Sequence, residues 1–254
     1  MIIINDHSEV FGQTLSSLCK GSPFGARILA YYEAYKGGSY HFIDHWLCYE
    51  NETAVCAVCQ YYDTVIVCGK AVPEIVMFIN MLSPGAVLCG SESDILLDNM
   101  QKSSGEIMHC SVKPSCGYEC GAVTLTGEMK PLKKVYELIL MSYSGAHLGT
   151  FEDYFIDISH NIRHGVSRIY AIYKNNSPIC ALTVIAITDS DAVISGVATH
   201  PDLRRRGYAG SLVAYAADKL IHEGKTVWLQ REKQISIYEK NGFVPAGYWS
   251  EYRR

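Results

Sequence analysis

No uncharged apolar stretch in this 254-residue chain approaches the ~18 residues of a membrane-spanning helix, so none is expected. The N-terminus, Met1-Ile-Ile-Ile-Asn-Asp, carries neither a basic n-region nor a small-residue cleavage site, and export is not expected either. An excess of positive charge is also missing. The 22 Lys and Arg stand against 26 Asp and Glu, a formal net charge of -4, which argues against a general binder of nucleic acid or anionic membranes. Any anion the protein takes must be held locally. Charged residues are only 19% of the chain against 48% apolar, so it has the makings of a substantial core and is neither disordered nor collagen-like. At ~100–200 residues per domain, two modest domains fit the length.

Cysteine, in contrast, is plentiful. The ten cysteines lie mostly in apolar strand-like runs such as Ala54-Val-Cys-Ala-Val-Cys59 and Val65-Ile-Val-Cys68, where a free thiol behaves as a small hydrophobe. A reducing, cytoplasmic setting is the expectation. Cys56 and Cys59 form C-x-x-C, but alternation along a strand turns them to opposite faces. His109, Cys110, Cys116 and Cys120 cluster without the spacing of a common zinc ribbon or finger, and no metal is expected.

The second half is clearly punctuated. Residues 131–143 and 151–162 carry apolar side chains at helical spacing, giving two helices in series. Three β-branched runs, 168–173, 178–187 and 192–199, separated by Lys174-Asn-Asn-Ser177 and Thr188-Asp-Ser-Asp191, predict an antiparallel meander. A helix over 210–223, ended by Gly224, a strand over 226–229, a short helix through Tyr238 and a last strand near 247–252 follow.

The first half echoes this order. Tyr49-Glu-Asn-Glu-Thr-Ala-Val-Cys-Ala57 aligns with Tyr173-Lys-Asn-Asn-Ser-Pro-Ile-Cys-Ala181, an offset of 173 − 49 = 124. Asp63-Thr-Val-Ile66 aligns with Asp191-Ala-Val-Ile194 at 191 − 63 = 128, so the second copy has the longer hairpin. A helix over 73–82 and a strand over 86–89 complete the echo. The chain reads as a tandem, residues 1–115 and 116–254, joined near Lys113 to Gly121; two meanders of similar composition aligning by chance is the alternative. The tyrosines at 31, 32, 35, 40, 61 and 62 are expected to be core or half-buried, some of them lining a cleft.

The stretch Val197-Ala-Thr-His-Pro-Asp-Leu-Arg-Arg-Arg-Gly-Tyr-Ala-Gly210 carries chemistry. It lies between a strand and a helix, and the small residues Gly207, Ala209 and Gly210 let backbone amides approach a ligand. The helix adds unpaired N-terminal amides and its positive dipole end, while Arg204, Arg205 and Arg206 supply local charge suited to a pyrophosphate or a 3′-phosphate. Neither G-K-[ST] nor G-x-G-x-x-G occurs there, which weighs against a nucleotide ligand. His200, before Pro201, reads as a loop residue.

Arg204-Arg-Arg-Gly207-Tyr-Ala209 resembles the pyrophosphate signature Q/R-x-x-G-x-G/A of the GNAT superfamily of coenzyme A-dependent N-acetyltransferases, and Ile237-Tyr-Glu-Lys-Asn-Gly-Phe243 resembles that family's C-terminal Y-E-K-x-G-F. The resemblance covers about 129–254. It implies an α/β fold with a mixed, mostly antiparallel central sheet flanked by helices, and through the echo two tandem GNAT-like domains, the first a degenerate copy without the Arg/Gly loop. It further implies acetyl-CoA as co-substrate and transfer of its acetyl group to a primary amine, on a small molecule or an amino terminus, by direct attack in a ternary complex. Backbone groups of Val197, Ala198 and Thr199 would pair with the pantetheine arm. The loop Arg204, Arg205, Arg206, Gly207, Tyr208, Ala209, Gly210, with Ser211, would hold the pyrophosphate. Tyr238 would protonate the departing thiolate. Glu152, Asp153 and Glu232 are candidates for the base, each with a solvated surface carboxylate as the alternative. Arg231 stands where many relatives carry an asparagine that contacts the coenzyme. A monomer or homodimer is expected, with no nucleic-acid or membrane partner. The rival reading is a non-catalytic acyl-CoA sensor.

Overall fold

The computed structural model describes residues 2–5, 8–93, 95–97, 99–112, 121–143, 149–232 and 236–254. In chain order the elements are β1 (Ile2–Ile4), α1 (Glu9–Cys19), α2 (Pro23–Tyr35), β2 (Ile43–Glu50), β3 (Thr53–Tyr61), β4 (Thr64–Gly69), α3 (Pro73–Leu82), β5 (Ala86–Gly90) and β6 (Gln101–Cys110). Then come β7 (Ala122–Leu125), α4 (Met129–Ser142), α5 (Phe151–Arg163), β8 (Arg168–Lys174), β9 (Ser177–Ile187), β10 (Asp191–Thr199), α6 (Tyr208–His222), β11 (Thr226–Arg231), α7 (Ser236–Lys240) and β12 (Val244–Arg253). The mixed α/β architecture is the one the sequence predicts.

Two compact units make up the chain. The first holds residues 1–108, 230–233 and 245–254, the second 109–229 and 234–244. The expected junction, Lys113 to Gly121, lies outside the described residues except for Gly121 itself. The chain's last strand is built into the first unit, whose sheet runs β1-β2-β3-β4-β5-β12-β6. There β12 lies antiparallel to β5 with Trp249 opposite Gly90 and Arg253 opposite Ala86. A one-residue slip in this register would turn Tyr252, 1% exposed, out of the core it shares with Val65, Val67, Ile75 and Ile79.

The second unit's sheet runs β11-β10-β9-β8-β7. Its core sets Leu132, Val135, Leu138 and Ile139 of α4, at helical spacing, against Ile169, Ala171, Ala181 and Ala198 of the sheet. Truncating a fully buried leucine such as Leu132 costs about 2–5 kcal/mol.

Each unit repeats the other's local geometry. Asn51 and Glu52 turn β2 into β3 with φ of 49° and 65°; Asn175 and Asn176, 124 positions on, turn β8 into β9 with φ of 50° and 60°. Paired left-handed residues suit the twist of a two-residue hairpin, and asparagine tolerates that conformation. The ladder irregularity between Cys48 and Tyr49 recurs between Ile172 and Tyr173, again 124 apart. In both units the fourth strand is parallel to the fifth, β4 to β5 and β10 to β11, within otherwise antiparallel neighbours. Two tandem copies of one fold account for these coincidences.

Candidate active site

The fourth strand of the second unit builds the site. β10 pairs with β11 from Asp191 through Ile194, opposite Leu229, and the pairing stops there while β10 runs on to Thr199. Against β9 it shows register shifts between Val193 and Ile194 and between Ser195 and Ala198. Such bulges bend a strand and re-aim its backbone groups. Beyond them Ala198 is buried in the core while Val197 and Thr199 border a cavity, as alternation along a strand requires.

That cavity, about 740 Å3, is lined by Val197, Thr199, Leu203 and every residue from Arg204 through Ser211, together with Ser142, Tyr143, Ile237, Lys240 and Asn241. Gly207 is the N-cap of α6, with φ 89° and no side chain to close the helix end. Ser211 N is the first amide with an intrahelical partner, Gly207 O, so the amides of Tyr208, Ala209 and Gly210 lie in the turn whose donors a helix leaves unpaired. A positive helix end without its own cap offers unpaired amide donors that suit an anion.

The three arginines separate into roles. Arg204 is part of the scaffold, its Nη2 donating to Ser142 O at 2.8 Å and its Nε to Thr199 O at 3.4 Å. Arg205 has a φ of 63°, a conformation that costs energy without glycine, and with Arg206 it is exposed at the rim. His200 caps the short turn Pro201–Leu203, its Nδ1 accepting from Asp202 N, and is a loop residue as expected.

The C-terminus of α4 reaches the edge of β10. Tyr143 donates its hydroxyl to Val197 O at 2.5 Å, and Ser142 Oγ donates to Thr199 O at 3.1 Å. Burial raises the Tyr143 pKa, partly offset by the charge of Arg204, which keeps the phenol a donor. Neither residue is singled out by sequence pattern, because only tertiary packing brings residue 143 to residue 197. Asn241 is the third addition. Buried, it donates from Nδ2 to Ile237 O at 2.8 Å and Gly210 O at 3.1 Å, tying α7 to the first turn of α6. Its signal lay in the sequence, inside Tyr238-Glu-Lys-Asn-Gly-Phe243.

Of the residues named from sequence, Ala198 and Tyr238 are not among the cavity's lining. Tyr238 is half-buried on α7, its ring 6.3 Å from that of Phe243. The carboxylates Glu152, Asp153 and Glu232 do not line it either. Asp153 closes a capping box with Thr150 at the start of α5, while Glu152 and Glu232 are exposed. Arg231 lies in the first unit, where its Nε and Nη2 meet Glu106 Oε2 at 2.8 and 2.5 Å and its carbonyl accepts from Trp249 Nε1. Cys110 is buried with its thiol on Val112 O, His109 stacks on Trp228, and Cys116 and Cys120 lie outside the described residues. No group of three or more metal-ligating side chains occurs among the described residues.

Comparison with known proteins adds the following. The sequence model of the acetyltransferase (GNAT) family matches residues 132–243. Comparison with curated protein sequences finds no match. Among solved structures the chain is similar to a Drosophila protein (TM-score 0.65, 11% identity, 100% of this chain and 98% of that one). It is also similar to a GCN5-related N-acetyltransferase from Sphaerobacter thermophilus (0.60, 12%, 100% and 95%) and to a tandem GNAT protein from the clavulanic acid biosynthesis pathway (0.60, 9%, 100% and 98%). These likenesses show the fold over the whole chain. Joined to the arginine and glycine loop at the open end of α6, the sequence match makes the segment from residue 132 to 243 a member of the GNAT acetyltransferase family.

Proposed function

We propose that the second unit binds acetyl-CoA and transfers its acetyl group to a primary amine by direct attack in a ternary complex. The observation that carries this reading is the single cavity bounded by the bulged end of β10, the loop Arg204–Gly207 and the uncapped first turn of α6. In this reading the amides of Tyr208, Ala209 and Gly210, with Ser211, hold the pyrophosphate. Arg205 and Arg206 add charge at the rim, and the β10 edge at Val197, Ala198 and Thr199 receives the pantetheine arm. The hydroxyls of Tyr143 and Ser142 already bond the carbonyls of Val197 and Thr199, so the arm either shares those acceptors or displaces these donors.

The reaction balances simply. The amine nitrogen, having lost its proton, bonds to the acetyl carbonyl carbon; the carbon–sulfur bond breaks, and Tyr238 gives its phenolic proton to the leaving thiolate. The ammonium proton passes beforehand to a carboxylate or to water, and the second proton that the nitrogen sheds on forming the amide returns through solvent to the Tyr238 phenolate. The first unit is read as a degenerate copy that takes no coenzyme, the acceptor as a small-molecule amine or an amino terminus, the setting as cytoplasmic, and the assembly as a monomer or homodimer without nucleic acid or membrane. A second reading, acyl-CoA binding without turnover, draws on the observation that Tyr238 is not among the lining residues.

The experiment is a thermal-stability titration with acetyl-CoA beside ATP and NAD. A ligand at ~100 times its dissociation constant adds about 2.7 kcal/mol, a rise of roughly 5–10 °C for a chain this size. A shift with acetyl-CoA alone supports the coenzyme reading and leads to an amine screen that detects free thiol; no shift removes it. A shift without turnover on any amine favours the sensor.

A further inference from the structure

The first unit carries a second cavity, remote in topology from its fourth strand. It lies where α2 gives way to β2, is about 220 Å3 in volume, and is lined by Tyr32, Tyr35, Lys36, Tyr40, Asp44 and His45 among others. This is below the ~300–1,000 Å3 of pockets that take drug-sized ligands, so it suits a headgroup and not a whole cofactor.

Its walls are aromatic and include two perpendicular ring pairs. The Tyr35 and Tyr40 rings meet at 83° with centroids 5.3 Å apart, and Tyr32 meets His45 at 83° and 5.4 Å. Tyr32 and Tyr35 are held from behind by packing in the unit's core, whereas Tyr40 is 39% exposed and forms the outer wall. The Tyr40 ring folds back closely over Gly38: a Cβ there would lie 2.4 Å from Tyr40 Cε2, and the ring would have to swing away. One carboxylate, Asp44, stands exposed at the edge, its Oδ1 accepting from Asn5 Nδ2 at 3.2 Å.

Ring faces carry negative potential and attract cations, most strongly where little else competes. The protein already shows this: Lys36 Nζ lies 5.9 Å from the centre of the Tyr32 ring while paired with Glu33 at 2.6 Å. A primary ammonium inside the cavity would need three hydrogen-bond acceptors; tyrosine faces supply none, and the one carboxylate, Asp44, is at the edge with Oδ1 already accepting from Asn5. A quaternary ammonium has no N–H to satisfy, and it spreads its charge over methyl groups that pack on rings.

We infer that Tyr32, Tyr35 and Tyr40, with Asp44, form a cage for the quaternary ammonium group of a small molecule, a site independent of the acetyl-CoA reading. Calorimetric titration of the full chain with choline tests it, against 3,3-dimethyl-1-butanol, the neutral isostere, and methylammonium. Choline binds about tenfold or more tighter than either, in line with ~1.4 kcal/mol per tenfold. Tyr40→Ala, at an exposed position outside the core, weakens choline about tenfold. Tyr35→Phe, which keeps the ring, leaves affinity within about twofold. Lys36→Ala, which removes the resident cation, tightens it. Equal binding of choline and its neutral isostere, preference for methylammonium, no heat with choline, or indifference to Tyr40→Ala each overturns the proposal. None of these readouts involves acetyl-CoA, so failure here and failure of the acetyltransferase reading are separate results.

Discussion

The two units differ most where they should be most alike, in the passage from the fourth strand to the following helix. In the first unit three residues, 70–72, join β4 to α3; in the second, eight residues, 200–207, join β10 to α6. The short connection opens with Lys70 N bonded to Val55 O, and the carbonyl of Gly69 accepts from Ser93 Oγ at 2.8 Å. β4 keeps an unbroken register against β3, while β10 is shifted twice against β9. At that strand end the Lys70 amide and the Gly69 carbonyl are already paired within the unit. A bulged strand followed by a long arginine and glycine loop exposes a groove. Under the proposed reading, the comparison teaches that one topology serves as scaffold or as site according to a handful of residues at a single crossover.

The sharpest test of that contrast is chemical. Under the proposed reading Tyr238→Phe lowers kcat by roughly 10²–10⁴, the usual worth of a positioned acid, and leaves acetyl-CoA affinity nearly unaltered. Steady-state kinetics beside calorimetric binding measures both; turnover unchanged across pH removes Tyr238 from the mechanism. Next in size is Arg206→Glu. Replacing a charge-assisted contact by repulsion weakens acetyl-CoA about tenfold to a hundredfold and flattens the salt dependence of binding. Reversal at Lys70, the nearest cation on the first unit's connection, leaves affinity unchanged. If the two reversals have equal effects, the distinction between the crossovers is broken.

Much of this was legible in the sequence because it is local. Residues 73–82 form the expected helix, and the strands over 168–173, 178–187 and 192–199 differ from the observed ones by no more than a residue or so at each end. Hairpin asparagines and the Arg204–Gly207 loop declare themselves by chemistry. What escaped depends on contacts across long separations. Ser142 and Tyr143 end an amphipathic helix, and nothing in its pattern announces a bond to residues 54 or more positions later. The ladder of β12 on β5 joins residues more than 150 apart, and Arg231, read as a departure from a coenzyme contact, answers to Glu106 at a separation of 125.

Thiol chemistry gives a smaller contrast. Among the described residues, Cys19, Cys48, Cys56, Cys59, Cys68 and Cys89 are buried in the first unit, and only Cys110 and Cys180 in the second. Burial, with the charge of Glu92 nearby, pushes the Cys89 thiol up to about 12, and burial raises Cys59 as well. A folded-state pKa above the unfolded one means the unfolded chain gives up its proton first. The associated stability is therefore complete below the unfolded thiol range, ~8.5, and is lost as pH rises from there through the folded value. The expected loss near pH 10 is about 2 kcal/mol for each such thiol, and both lie in the first unit. Alkylation followed by peptide mapping checks it: the folded protein keeps Cys59 and Cys89 unmodified at pH 8, and their modification rises toward pH 10 together with the loss of stability, whereas ready modification of both at pH 8 contradicts the assignment.

The mildest test compares two helix ends within the second unit. α5 closes its positive end with its own side chains, since Thr150 accepts from Asp153 N and Asp153 accepts from Thr150 N, whereas α6 begins at Gly207 with nothing to close it. A cap that serves stability and an end left open for a ligand should respond oppositely to change. Thr150→Ala removes one acceptor and costs about 1 kcal/mol, which lowers the Tm by roughly 2–4 °C while acetyl-CoA affinity holds. Gly207→Asp offers α6 the carboxylate it lacks, but at a φ of 89° that costs a side chain about 1 kcal/mol, so its stability falls slightly. That carboxylate then occupies the amides proposed for the pyrophosphate, and acetyl-CoA binding falls. Calorimetry on both variants reads the two quantities together, and an α6 that accepts a cap without loss of affinity would move the pyrophosphate elsewhere.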